Sequence, residues 1–139
     1  GVIAEFVSAA QQFARSDQFF GTSPKTATGA KPKAFDLEGT YSFMAGNLAS
    51  AFVLDYGFTR QALALNLPRT RYSGTLNFDV WKDTVFSLEY RHDINYGSNQ
   101  VAGLLTDGAT TSEADQVYHI VRGTGNSDNV ITAQLDMYF

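Results

Sequence analysis

Apolar and polar residues alternate with period two in five stretches of the chain, the spacing of strands with one apolar face. Residues 33–43 set Phe35, Leu37, Gly39, Tyr41 and Phe43 against Asp36, Glu38, Thr40 and Ser42. Residues 49–59 set Phe52, Leu54, Tyr56 and Phe58 against Ala51, Val53, Asp55 and Gly57. Residues 69–80 set Tyr72, Leu76, Phe78 and Val80 against Arg71, Ser73, Thr75, Asn77 and Asp79. Residues 84–92 set Phe86, Leu88, Tyr90 and His92 against Ser87, Glu89 and Arg91. In residues 129–139, Ile131, Ala133, Leu135, Met137 and Phe139 alternate with Val130, Thr132, Gln134, Asp136 and Tyr138. Residues 2–13 form a weaker sixth candidate.

The segments between these strands sort by length. Residues 44–48, centred on Gly46-Asn47, and residues 81–83 predict tight turns. Residues 16–32, 60–68 and 93–128 predict long connections. Within the last of these only residues 116–122 have strand character. Residues 60–68 carry Ala62, Leu63, Ala64, Leu65 and Leu67, suiting a short helix or a folded-in loop that Pro68 ends. Short and long connections alternate strictly, as the periplasmic turns and extracellular loops of a bacterial outer-membrane barrel do. With Phe139 at the periplasmic side, every long connection falls outside and every short turn inside. The aromatics then sort into two belts. Phe43, Phe78, Trp81, Phe86, Tyr138 and Phe139 collect near the inner edge, and Phe35, Tyr56, Phe58, Tyr72 and Tyr90 near the outer one.

The expected fold is all-β: an antiparallel transmembrane β-barrel with six recognisable strands. The smallest bacterial single-chain barrels have about eight, and an open edge leaves amides unpaired in lipid. Either strands are missing upstream, or residues 116–122 and another segment add a pair, or several chains close one barrel; the first is favoured, so residues 1–139 are expected to be the C-terminal portion of a larger barrel, completed by upstream residues or other chains. The chain begins without Met or leader, inside a strand, which an exported protein shows when the chain is mature or partial.

Composition narrows the classes. Charged residues make up 17%, below the ~25% of soluble domains, while aromatics reach 14%. Lipid-facing surface gives this bias, as does an aromatic β-sandwich core. A net charge of −4 argues against nucleic acid. No stretch approaches the ~18 apolar residues of a transmembrane helix. With no Cys and two His, a dedicated transition-metal site is not expected, and no cofactor is implied.

Several stretches resemble the siderophore-porin family of LbtU type, outer-membrane proteins of Legionella-like and Francisella-like bacteria. They are residues 60–72 (Arg-Gln-Ala-Leu-Ala-Leu-Asn-Leu-Pro-Arg-Thr-Arg-Tyr), 80–84 (Val-Trp-Lys-Asp-Thr), 87–93 (Ser-Leu-Glu-Tyr-Arg-His-Asp) and 123–135 (Gly-Thr-Gly-Asn-Ser-Asp-Asn-Val-Ile-Thr-Ala-Gln-Leu). The resemblance spans roughly residues 33–139 and rests on strand-and-turn patterns. It implies a barrel and a part in iron or siderophore uptake. Family members are longer than this chain, and no residue-level binding motif carries over.

Within a barrel, Asp36, Glu38, Asp55, Arg71, Asp79, Glu89 and Arg91 point into the lumen. They are candidates either for screening solutes by charge and size or for bracing the wall by pairing with one another. Phe43, Trp81, Phe86, Tyr90, Tyr72 and Phe139 are candidates for the aromatic girdle. His92-Asp93 invites a catalytic reading, but adjacent strand residues face opposite ways, and no nucleophilic Ser accompanies the His. No catalytic residue is expected. Asp107, Glu113 and Asp115 carry the oxygen ligands of a weak calcium site without EF-hand spacing, and a solvated loop explains them equally.

The leading expectation is a porin-like barrel in the bacterial outer membrane that passes small solutes, among them ferric siderophores. Its partners are outer-membrane lipid, the solute, and the barrel-assembly machinery through the strand ending in Phe139. A structural or adhesive barrel whose outer loops bind a partner is the alternative, and a soluble β-sandwich binding module the third.

Overall fold

The computed structural model describes residues 1–105 and 118–138. Phe139, Asp107, Glu113, Asp115 and Gln116 therefore fall outside the described residues. The described residues form ten strands: β1 (Val2–Ser8), β2 (Gln18–Gly21), β3 (Thr28–Gly29), β4 (Lys33–Ala45), β5 (Leu48–Arg60), β6 (Thr70–Trp81), β7 (Thr84–Ile94), β8 (Val101–Leu105), β9 (Tyr118–Arg122) and β10 (Ser127–Met137). A 3-10 turn spans Leu63–Leu65. The fold is all-β and antiparallel, with no α-helix among the described residues.

Six strands form one sheet in the order β1-β4-β5-β6-β7-β10. They are the six alternating segments, laid side by side in chain order. Among the described residues the sheet is open: β1 pairs with β4 alone, and β10 with β7 alone. Two-residue turns join β4 to β5 and β6 to β7. At the first, Gly46 adopts φ 64°, the left-handed conformation that a type II′ turn asks of its first central residue. At the second, Asp83 adopts φ 56° beside a ladder irregularity between Asp79 and Trp81. Tight turns leave no slack, so they set the register of both hairpins.

Strand β1 is shorter than residues 2–13 predicted, and Pro32 is the reason. Ser8 pairs with Lys33, which would set Ala9 opposite Pro32. Proline has no N–H to return to the ladder. Ala9 still donates to the Pro32 carbonyl at 3.0 Å, but the ladder stops there.

The described parts of the long connections lie together at the end opposite the tight turns, and they carry more strand than their composition predicts. Strands β3, β2, β8 and β9 form a second sheet in that order. It joins residues 18–21 to residues 101–105, a pairing with no local signature. The only buried apolar residues among those described lie in these connections. Leu63, Ala64, Tyr96 and Ala102 form one cluster with Phe20 and Val121 against it; Phe19, Ala27 and Val101 form another. The six-stranded sheet contributes Ser50 and Asp93 to the buried residues and no apolar side chain.

Candidate functional site

Register brings the alternating faces into coincidence. Phe35 pairs with Phe58, Leu37 with Tyr56 and Tyr41 with Phe52; Tyr56 with Tyr72, Phe52 with Leu76; Leu76 with Leu88, Phe78 with Phe86; Phe86 with Leu135, Tyr90 with Ile131. Directly opposed residues share a face, so every apolar stripe lies on one side of the sheet. Phe52, Leu54, Leu76, Phe86 and Leu135 all sit there and none is buried. Among the described residues nothing packs over this side.

The opposite face collects charge. By the same register it carries Glu5, Asp36, Glu38, Asp55, Asp79, Glu89, Asp93, Asp128 and Asp136, nine carboxylates, with Arg71 and Arg91 as its only cations among the described residues. All seven charged candidates are on it. Three of the further acids, Glu5, Asp93 and Asp128, stand at segment starts or beyond the sequence-drawn end of β7. The signal for Asp93 was present, since Ser87, Glu89, Arg91 and Asp93 continue one alternation.

Bracing and free charge divide between the two halves of this face. Arg71 donates to Asp93 from Nε to Oδ1 at 2.7 Å and from an Nη to Oδ2 at 3.0 Å. This is the bidentate fork that makes such pairs strong. The Arg91 Nε lies 3.3 Å from Asp93 Oδ2 as an ion pair without a hydrogen bond, so one buried carboxylate faces two guanidiniums and hydrogen-bonds Arg71. Across β1, β4 and β5 the acids face each other instead: Glu5 opposes Asp36, and Glu38 opposes Asp55. Ser73 donates to Asp55 at 3.4 Å and Thr40 to Glu38 at 3.2 Å, and the Asp55 carboxyl lies within hydrogen-bonding reach of the Asp36 carboxyl. No ion pair reaches them among the described residues. Like charges directly opposed cost stability, so this half of the face is a standing field of negative charge.

The described aromatic candidates, Phe43, Tyr72, Trp81, Phe86 and Tyr90, lie on the apolar side or at its ends. Phe43 and Phe86 sit in the row with Phe78 near the tight turns, and Trp81 is exposed beside them. Tyr72 sits toward the other end, its ring 5.2 Å from Tyr56 and 6.5 Å from His92. Tyr90 donates to Asn129 Oδ1 at 2.8 Å, and His92 Nδ1 lies 2.7 Å from the same oxygen. The polar tips at this end are thus tied to each other. His92 and Asp93 point to opposite faces.

The cap formed by the long connections leans over the polar face. Thr59, a polar-face residue, shares a hydrogen bond of 2.8 Å with the Tyr96 hydroxyl, which also accepts from the Ala62 N–H at 3.1 Å. Asn95 donates to Asp128 at 2.7 Å. Leu67 and Pro68 close a cavity of about 160 Å³ against Ala34, Asp36, Gly57 and Arg71. The apolar segment of residues 60–68 is therefore folded in, with Ala62, Leu63 and Ala64 buried and Leu65 and Leu67 left exposed. Tyr96 was invisible to periodicity because it lies outside any alternating run. Its replacement by Phe will leave the buried Ala62 N–H without an acceptor, at about 1–3 kcal/mol. The expected result is faster proteolysis within residues 61–69 at unchanged strand content; equal cleavage rates would refute the anchoring role.

The fold and this two-sided sheet define an antiparallel β protein with one apolar face, one acidic face and a cap at one end. No family profile and no solved structure matches the chain. It is similar to a UPF0422 protein of Coxiella burnetii, with 42% identity over 137 residues, covering 99% of this chain and 27% of that one. It is likewise similar to UPF0422 proteins of Legionella pneumophila, strains Lens and Philadelphia 1, each 41% identical over 135 residues and covering 97% of this chain and 23% of theirs. The chain thus spans about a quarter of the length of these curated relatives.

Proposed function

We propose that this chain supplies six strands of an outer-membrane β-barrel that passes small solutes, its acidic face lining the lumen and its apolar face meeting lipid. The observation that carries the reading is the uncovered apolar side: six stripes in one register, with no carboxylate among them and no described residue packed over them. In water such a surface is unfavourable at about 25 cal/mol per Å²; in hydrocarbon it is at home. Strands β4, β5, β6, β7 and β10 are 11–13 residues long, enough for a tilted crossing that takes about 9–11. The free edges at β1 and β10 call for further strands, since an edge amide in lipid costs several kcal/mol. The greater length of the relatives accommodates such strands.

Solute choice follows from the wall. Carboxylates without cationic partners concentrate cations and repel anions in a narrow aqueous channel, so the favoured solutes are cationic or neutral. The resemblance to siderophore porins favours iron-complex uptake as the physiological role. Reconstituted in planar bilayers under a salt gradient, the protein is expected to show a reversal potential with cations preferred by about tenfold at low ionic strength, fading as salt screens the wall. The Asp36→Asn, Glu38→Gln, Asp55→Asn variant is expected to lose most of that preference. Channels that prefer anions would overturn the solute class. Folded protein with no conductance and no solute swelling would favour the adhesive barrel, for which the ordered cap is the supporting feature.

A further inference from the structure

The apolar face carries two cations among the described residues of the six strands, and they are neighbours. Lys33 and Arg60 are directly opposed across β4 and β5, one step beyond the Phe35–Phe58 pair. Both are exposed. The Arg60 guanidinium carbon lies 6.0 Å from the centre of the Phe58 ring, which keeps it at the edge of the aromatic band. Neither forms an ion pair among the described residues. The other rim differs: Lys82, in the tight turn between β6 and β7, has Asp83 at 4.0 Å. One end of the apolar band is neutralised from within, and the other presents two like charges that the ladder holds side by side.

From this we infer that Lys33 and Arg60 form a clamp for the phosphate of a lipid headgroup at the long-connection end of the barrel. The inference rests on the membrane-spanning reading above. Opposed like charges repel, and a shared anion relieves that repulsion. Their aliphatic stems can lie along the apolar band while the charged heads reach the interface. An anion held here must itself sit at the boundary between hydrocarbon and water, where lipid phosphates are and soluble phosphate is not favoured.

The test is native mass spectrometry of the full-length protein in detergent, titrated with lipid A, a diphosphorylated glycolipid, or with phosphatidylcholine. Retention of lipid A over phosphatidylcholine is expected, and K33Q/R60Q is expected to weaken it about tenfold or more, from ~1 kcal/mol for each interfacial cation. K82Q should retain it in full, and K33R should behave as the parent. The single variants K33Q and R60Q, each expected to show a partial loss, stand in if the double variant does not fold. Unchanged retention in correctly folded variants overturns the clamp alone, as does full displacement of lipid A by millimolar inorganic phosphate. A parent protein that dissolves and folds without detergent overturns the clamp and the barrel together.

Discussion

Arginine in place of Leu54 is expected to prevent membrane assembly, whereas lysine in place of Val53 is expected to be tolerated. The two positions are adjacent on β5 and face opposite ways: Leu54 opposes Gly39 and Gly74 on the apolar side, and Val53 opposes Thr40 and Thr75 on the polar side. Leu54 lies near the middle of its strand and is 55% exposed. In an aqueous protein, a charge at so open a position changes stability by less than about 0.5 kcal/mol. Facing the centre of a bilayer, the same charge costs about 2–4 kcal/mol. The measurement is the fraction of protein that gains heat-modifiable gel mobility in phospholipid vesicles. Loss with Leu54→Arg and retention with Val53→Lys is the expected pair of results. Equal, near-parental folding of both would mean that hydrocarbon does not lie against the apolar face.

Removing the carboxylate of Asp93 is expected to be the most damaging change on the acidic side. Its side chain is only 12% exposed and serves both Arg71 and Arg91, whose side chains are 36% and 34% exposed. Breaking a fully buried pair by deleting one partner costs about 3–5 kcal/mol. Partial exposure lets water take up some of the orphaned charge, so Asp93→Ala should cost about 2–3 kcal/mol, read as a lower urea midpoint for unfolding from vesicles. A second change separates the charge from the shape. The triple variant Arg71→Met, Arg91→Met, Asp93→Leu removes all three partners together and should recover most of the loss, because no member of the network is then left unpaired. A shift below about 0.5 kcal/mol in Asp93→Ala would show that the network contributes little to the wall.

Much of the large sheet was legible in the chain because its information is local. Side chains of a strand alternate by backbone geometry alone, so the stripe from Phe35 to Phe43 and that from Ile131 to Met137 name their own faces. The turns at Gly46 and Asp83 are two residues long, so they also fix which residues meet across each hairpin. The boundaries moved by a few residues where chemistry intervened, as at Pro32, which ended β1 early.

The cap was not legible in the same way. Strand β2 meets β8 across some eighty residues of intervening chain, and neither has the length or alternation to mark itself. Such pairings are chosen by the burial of Phe19, Tyr96 and Val101 once the chain ends have been brought together, a cost in closure entropy that no local pattern reports. The division of the acidic face was hidden for a related reason. That Glu38 would oppose Asp55, while Arg71 and Arg91 would both converge on Asp93, depends on register between strands and not on composition within one. The sequence by itself determined the antiparallel strands, their two faces and the alternation of short and long connections, all of which follow from backbone periodicity and turn chemistry. Only the tertiary structure decided that the six apolar faces share one uncovered side, which carboxylates remain without a cation, and that the long connections fold over the polar face, because these are outcomes of cross-strand register and long-range packing.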